Sequence, residues 1–163
     1  SRGLGDVYQR PSIHYSFTVG GSMDLPRTEL DAVFDRAFNT WTEIDCGGSP
    51  VGFQVRRRAE DSLCTVPEFV SDGGNVNSMA FVDNWSERGN APAAYALTTT
   101  WFRRSTGEIV DADMELNQEN WEFADCATRE CTLEIDLENT VTHELGHFFG
   151  LAHTDVEEAA TRG

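Results

Sequence analysis

Three of the four histidines in this 163-residue chain fall within eleven consecutive residues, His143-Glu144-Leu145-Gly146-His147-Phe148-Phe149-Gly150-Leu151-Ala152-His153. Residues four apart on an α-helix are rotated by only about 40°, so His143 and His147 project from one face, one turn apart, where two imidazoles can grip one ion. Glu144 sits about 100° round the helix, too far to ligate but within reach of a water beside the ion, which is the position of a general base. Gly150 lets the helix stop, because a residue without Cβ enters the left-handed conformation cheaply and turns the chain back. That turn brings His153 toward the first two histidines. Three neutral imidazoles at about 2.0 to 2.1 Å from zinc leave a fourth position open, the arrangement of catalytic rather than structural zinc.

The competing explanation is three surface histidines beside a chance acid. Ordinary usage of His, Glu and Gly makes an accidental HExxHxxGxxH in a chain of this length on the order of 1 in 10⁵, which rejects it. The remaining histidine, His14, falls in a strand-like segment and is read as a core or edge residue without a functional role.

The elements that must position this segment follow from periodicity. Residues 12–19 (SIHYSFTV) are β-branched and aromatic and stop at Gly20-Gly21, which predicts an opening strand. TELDAVFDRAFNTW, from Thr28, predicts a long amphipathic helix with a Thr28–Asp31 capping box and with Phe34, Phe38 and Trp41 packed on a sheet. Strands are predicted near residues 51–55, 76–82, 95–102 and 108–116, separated by Gly, Asn, Asp and Pro clusters. In VDADMELN the polar Asp111, Asp113, Glu115 and Asn117 alternate with apolar residues, the pattern of a strand with one wet face. The same density of oxygen ligands could take Ca²⁺. Helical spacing returns at residues 136–149, with Leu137, Val141, Leu145 and Phe148 on one side, so the histidine pair rides on an amphipathic helix.

Composition narrows the class. With 39% apolar residues the chain can bury one core, and it has no stretch of about 18 consecutive apolar residues for a membrane span. The 28 acidic against 12 basic side chains, a formal net charge of −16, argue against nucleic acid as a partner. The four cysteines form two local pairs, and of the three possible connectivities Cys46–Cys64 with Cys126–Cys131 is preferred over free thiols. Two bridges predict an oxidising, extracellular compartment. A first residue Ser1 in place of Met is taken to mark a processed or trimmed, secreted chain, expected to act as a monomer.

Through VTHELGHFFGLAH the sequence resembles the metzincin clan of metallopeptidases and, by the order of elements around that motif, its matrixin-like branch. The resemblance implies an α+β domain over residues 1–163, a mixed twisted sheet packed on two long helices, with a cleft where an extended polypeptide is hydrolysed. It implies one catalytic Zn²⁺ on His143, His147 and His153, Glu144 as general base, and Leu97, Thr98 and Thr99 of the edge strand as candidates for pairing with substrate backbone. Matrixins also hold a structural zinc partly through a histidine of the acidic strand. Asp113 stands in about that place here, so one zinc is expected. The clan's methionine turn is missing too: no methionine follows His153, and its place falls near Thr161. The domain is therefore expected to be incomplete at its C-terminus. The rival class is a non-catalytic zinc- or substrate-binding module derived from a peptidase fold, against which the intact Glu144 counts. A gluzincin-type site, whose third ligand is a distant glutamate, is disfavoured by the local Gly150 and His153.

Overall fold

The computed structural model describes residues 11–45, 47–48 and 51–153. Its main sheet has the strand order β2-β1-β3-β5-β4, built from β1 (Ser12–Phe17), β2 (Gln54–Arg57), β3 (Asn77–Val82), β4 (Ala96–Phe102) and β5 (Ile109–Asn117). The pairs β1–β2, β1–β3 and β3–β5 are parallel, whereas β4 runs antiparallel to β5 and forms the edge. Helices α1 (Arg27–Thr42) and α2 (Leu137–Phe148) pack against the sheet and against each other. A short parallel pair, β6 (Phe123–Ala124) with β7 (Ile135–Asp136), leads into α2. This is the mixed sheet on two helices expected from the sequence.

The helix periodicity of α1 buries Leu30, Val33, Phe34, Ala37 and Phe38. These meet Tyr15 and Phe17 of β1, with ring centroids 4.9 Å apart for Tyr15–Phe38 and 4.8 Å for Phe17–Phe34. Each such aromatic burial stabilises by about 2 to 3 kcal/mol, so this cluster locks α1 to the sheet. Phe148, near the end of α2, reaches the same cluster at Phe38. The Trp41 indole donates to the Thr142 carbonyl at 3.0 Å, and the Arg36 guanidinium bridges Asp125 (2.7 Å) and Glu138 (2.6 Å). The helix that carries the histidines is thus held on its neighbour by apolar, polar and ionic contacts at once.

Three expectations change. The capping box does not form: α1 begins at Arg27 with Pro26 as its N-cap, so Thr28 already lies inside the first turn, and Asp31 pairs with Arg57 of β2 at 2.8 Å. A proline cannot cap through its side chain, but its fixed φ suits the helix start, which falls two residues earlier than the capping box would put it. The second strand lies at Gln54–Arg57 rather than residues 51–55, because pairing with β1 carries the polar Arg56 and Arg57 into register opposite His14 and Tyr15.

The third change is the acidic face of β5, which is not wet. Asp111, Asp113, Glu115 and Asn117 are all buried, covered by the segments around residues 62–76 and 84–94. Asp113 accepts from the Ser78 amide (2.8 Å), the Ser78 hydroxyl (2.6 Å) and the Glu68 amide (3.2 Å). Glu115 pairs with Arg88, and the Asn117 amide donates to the Ala94 carbonyl at 2.8 Å. Period-two alternation reports polarity, not water, and loops distant in sequence supply the partners that buried carboxylates require.

Asp111 is the exception. It is 3% exposed, its Oδ2 has no hydrogen-bond partner, and burial, followed by the charge of Asp113, pushes its pKa up to about 6. The unfolded chain loses this proton near pH 4, before the folded one does, so this group makes stability fall as pH rises from about 4 through 6. Asp111→Asn should be about 1 to 2 kcal/mol more stable than the parent at pH 8, allowing for screening by solvent in the cavity that Asp111 lines with His14 and Asn77, with no such gain at pH 4. Urea unfolding at both pH values checks this, and an equal gain at each would show that titration is not the cause.

Candidate active site

Asp136 closes the first turn of α2, its Oδ1 accepting from the amides of Glu138 (3.0 Å) and Asn139 (3.3 Å). From there Leu137, Val141, Leu145 and Phe148 face the core, and the opposite side of the helix presents His143 and His147 to a cleft. The helix ends in two backbone bonds, Gly150 N–H to the His147 carbonyl (2.8 Å) and Leu151 N–H to the Gly146 carbonyl (2.9 Å), the Schellman pattern. Gly150 has φ +92°, and a Cβ there would stand 3.2 Å from Ile109 Cδ1, so both backbone and packing select glycine. The reversal carries His153 back over α2.

The three rings converge. His147 Nε2 lies 3.0 Å from His153 Nε2, and His153 Nε2 lies 3.3 Å from His143 Nε2. Two ligand nitrogens of a tetrahedral zinc site, each at about 2.05 Å from the ion, stand about 3.3 Å apart, so this donor set fits zinc. His147 Nδ1 lies 2.7 Å from the Leu151 carbonyl, which selects the tautomer with its proton on Nδ1 and leaves the Nε2 lone pair facing the other two rings. The turn that returns His153 therefore also orients His147. Among the described residues no other three His, Cys, Asp or Glu side chains converge in this way, and the carboxylates of β5 assemble no calcium ligand set.

Glu144 is 6% exposed and lines the same cleft as the histidines. Its Oε2 accepts a 2.6 Å hydrogen bond from the Thr98 hydroxyl, a contact that sequence reasoning missed because it joins residues 46 apart. The cleft measures about 960 Å³ and runs between residues 94–98 and residues 134–140, with the three histidines in its wall.

The edge strand is sorted by register. Asn117 N–H donates to the Tyr95 carbonyl (2.8 Å) and Ala96 stands opposite Leu116, so Ala96–Leu116 is a non-hydrogen-bonded pair and the two kinds of pair alternate along β4. Leu97 and Thr99 consequently turn their N–H and C=O toward β5. Ala96, Thr98 and Thr100 turn theirs to the open edge. Of the three residues proposed for backbone pairing, Thr98 has the right orientation, and Ala96 and Thr100 join it.

Cys126 and Cys131 are joined, as expected, with Cα atoms 5.5 Å apart, closing the loop between β6 and β7 just before α2. Cys64 carries a half-buried thiol whose Sγ lies 3.8 Å from Glu68 Oε1, and the bridge expected for it falls on a partner outside the described residues. Cys46 lies outside the described residues, as does Thr161. His14 is exposed on β1, beside Arg56 of β2, and because β1 lies between β2 and β3 it is neither the core nor the edge residue expected. Among the described residues no helix is long and apolar enough to cross a membrane.

Comparison with known proteins agrees with this geometry. The model of the matrixin family matches residues 7–161. The chain is similar to the metalloendoproteinase 2-MMP of Arabidopsis thaliana, 27% identical over 133 residues, 80% of this chain and 30% of that protein. It is also similar to the metalloendoproteinase 1-MMP of the same plant, 25% identical over 157 residues, 93% of this chain and 36% of that protein. The chain spans about a third of the length of these curated relatives.

Proposed function

The chain belongs to the matrixin family, and from that premise we propose that it is a zinc-dependent endopeptidase acting on extended polypeptides. The observation that carries this reading is the placement of a buried carboxylate, Glu144, beside three convergent imidazoles in a cleft bordered by an open strand edge. His143, His147 and His153 would hold the ion. When bound, zinc supplies Lewis acidity, which brings the pKa of water down toward 7 and polarises a peptide carbonyl.

The chain's own residues account for the remainder. Ala96, Thr98 and Thr100 offer outward backbone donors and acceptors to an extended substrate, adding it to the sheet as a further strand. Strand addition fixes the scissile bond relative to α2, because β4 packs against that helix through Thr98. Glu144 takes the proton of the attacking water and returns it to the leaving amide nitrogen, which needs its carboxylate within about 2.6 to 3.2 Å of each partner in turn. Residues 94–98 and 134–140 line the cleft and are in place to select among substrate side chains. The Cys126–Cys131 bridge supports an oxidising compartment, and we read the protein as secreted.

Zinc-loaded protein should cleave an unfolded polypeptide. A chelator should abolish cleavage, and added zinc should restore it. One zinc per chain by metal analysis accompanies this outcome. Cleavage that persists in metal-stripped protein would overturn the reading.

A further inference from the structure

Glu144 has three side-chain torsions, and a general base that swings among rotamers spends little time aimed at water. What limits it is the neighbouring edge strand. The Thr98 hydroxyl stands 2.6 Å from Glu144 Oε2 and 3.2 Å from the Glu144 carbonyl. A hydroxyl carries one proton, so it cannot serve both acceptors fully, and the shorter distance falls in the range of a charge-assisted bond to a carboxylate. We propose that Thr98 is the positioning residue for Glu144, and that through this residue the strand edge that pairs with substrate also sets the aim of the general base. The proposal rests on the peptidase reading.

The strand geometry explains why one residue can do both. The backbone groups of Thr98 point outward in the plane of the sheet, while its side chain stands perpendicular to that plane, on the side of α2. Substrate that pairs with Thr98 N–H and C=O fixes the residue whose hydroxyl holds Glu144. Branching at Cβ stiffens χ1, so the hydroxyl is held in one direction. A valine would match the shape and the strand preference of this position and would lack only the donor, which makes threonine here a choice of chemistry rather than of packing.

Thr98→Val, in the zinc-loaded protein, should lower kcat by about 10- to 100-fold, the range expected when a bond to a charged group that orients a reacting residue is lost. KM and zinc affinity, the latter by chelator competition, should change by less than about twofold, because the backbone pairing and the imidazoles are untouched. Thr98→Ser restores the donor and should recover most of the lost kcat. A Val variant with parental kcat, a loss confined to KM, or a Ser variant as impaired as Val would each overturn the proposal.

The contact itself is read without catalysis, by thermal unfolding of metal-free Thr98→Val, Glu144→Ala and the double variant. Coupled residues give a double variant less destabilised than the two single shifts combined. Additive shifts would overturn the bond. A zinc-loaded parent that cleaves nothing would overturn the peptidase reading and the catalytic use of this bond together, while a non-additive cycle would in that case still uphold Thr98 as the residue that holds Glu144.

Discussion

Glu144→Ala is expected to bind one zinc with parental affinity, to unfold at about the parental temperature, and to lose between about 10² and 10⁴ in kcat. Zinc is retained because the residue lies about 100° round α2 from its neighbouring histidine and contributes none of the three convergent nitrogens. Stability changes little because two effects oppose each other. The variant removes a carboxylate that is costly to bury, since Glu144 is only 6% exposed, and it leaves the Thr98 hydroxyl with the weaker acceptor, the carbonyl of residue 144. The rate falls because, among the described residues, no other carboxylate is placed to replace it. Asp136 is committed to the helix N-terminus, and Glu134 is held by the amides of Thr132 and Leu133. Cleavage of an unfolded polypeptide at equal zinc occupancy measures the loss. A purified variant that cleaves as fast as the parent would remove Glu144 from the mechanism.

The same residue shows how far the sequence could be read. Periodicity and motif spacing act within about a dozen residues, and what they describe was legible: the burial of Leu137, Val141 and Leu145, the turn at Gly150, and the convergence of His153 on His143 and His147. Contacts between distant elements left no such trace. The bond from Thr98 to Glu144 spans 46 residues, and the Arg36 bridge to Glu138 spans 102. The acidic alternation of β5 was legible as a strand but not as a buried one, since the groups that satisfy it come from residues 68, 78 and 88. The capping box failed for a local reason of a different kind, because Pro26 competes for the same helix start and wins through its fixed φ. The Cys64 thiol lies against Glu68, and the partner expected for it, Cys46, is outside the described residues. At Cys126 and Cys131 the pairing of β6 with β7 brings the two ends of the loop together, and the bridge forms.

His153→Ala is expected to weaken zinc binding by more than about 100-fold, beyond the 10- to 100-fold that follows loss of a supporting partner around a metal ligand. The three imidazoles do not arrive by the same route. His143 and His147 are fixed by the helix, one turn apart, whatever follows it. His153 depends on the reversal at Gly150, whose amide and that of Leu151 are tied back to the His147 and Gly146 carbonyls. These bonds offset part of the backbone entropy of fixing the third ligand, about 1 to 2 kcal/mol per residue. The substitution leaves that turn intact, including the carbonyl of Leu151 that orients His147, and removes only a donor nitrogen. Its effect is then a loss of ligation and not of folding, and thermal unfolding of the metal-free variant should match the parent. The fourth histidine supplies the control. His14→Ala in β1 should leave zinc affinity unchanged, because His14 is not among the three convergent histidines. Competition against a chelator of known affinity measures all three proteins. Parental stoichiometry and affinity in His153→Ala would place the third ligand elsewhere, and equal weakening in His14→Ala would trace the loss to the fold instead of the site.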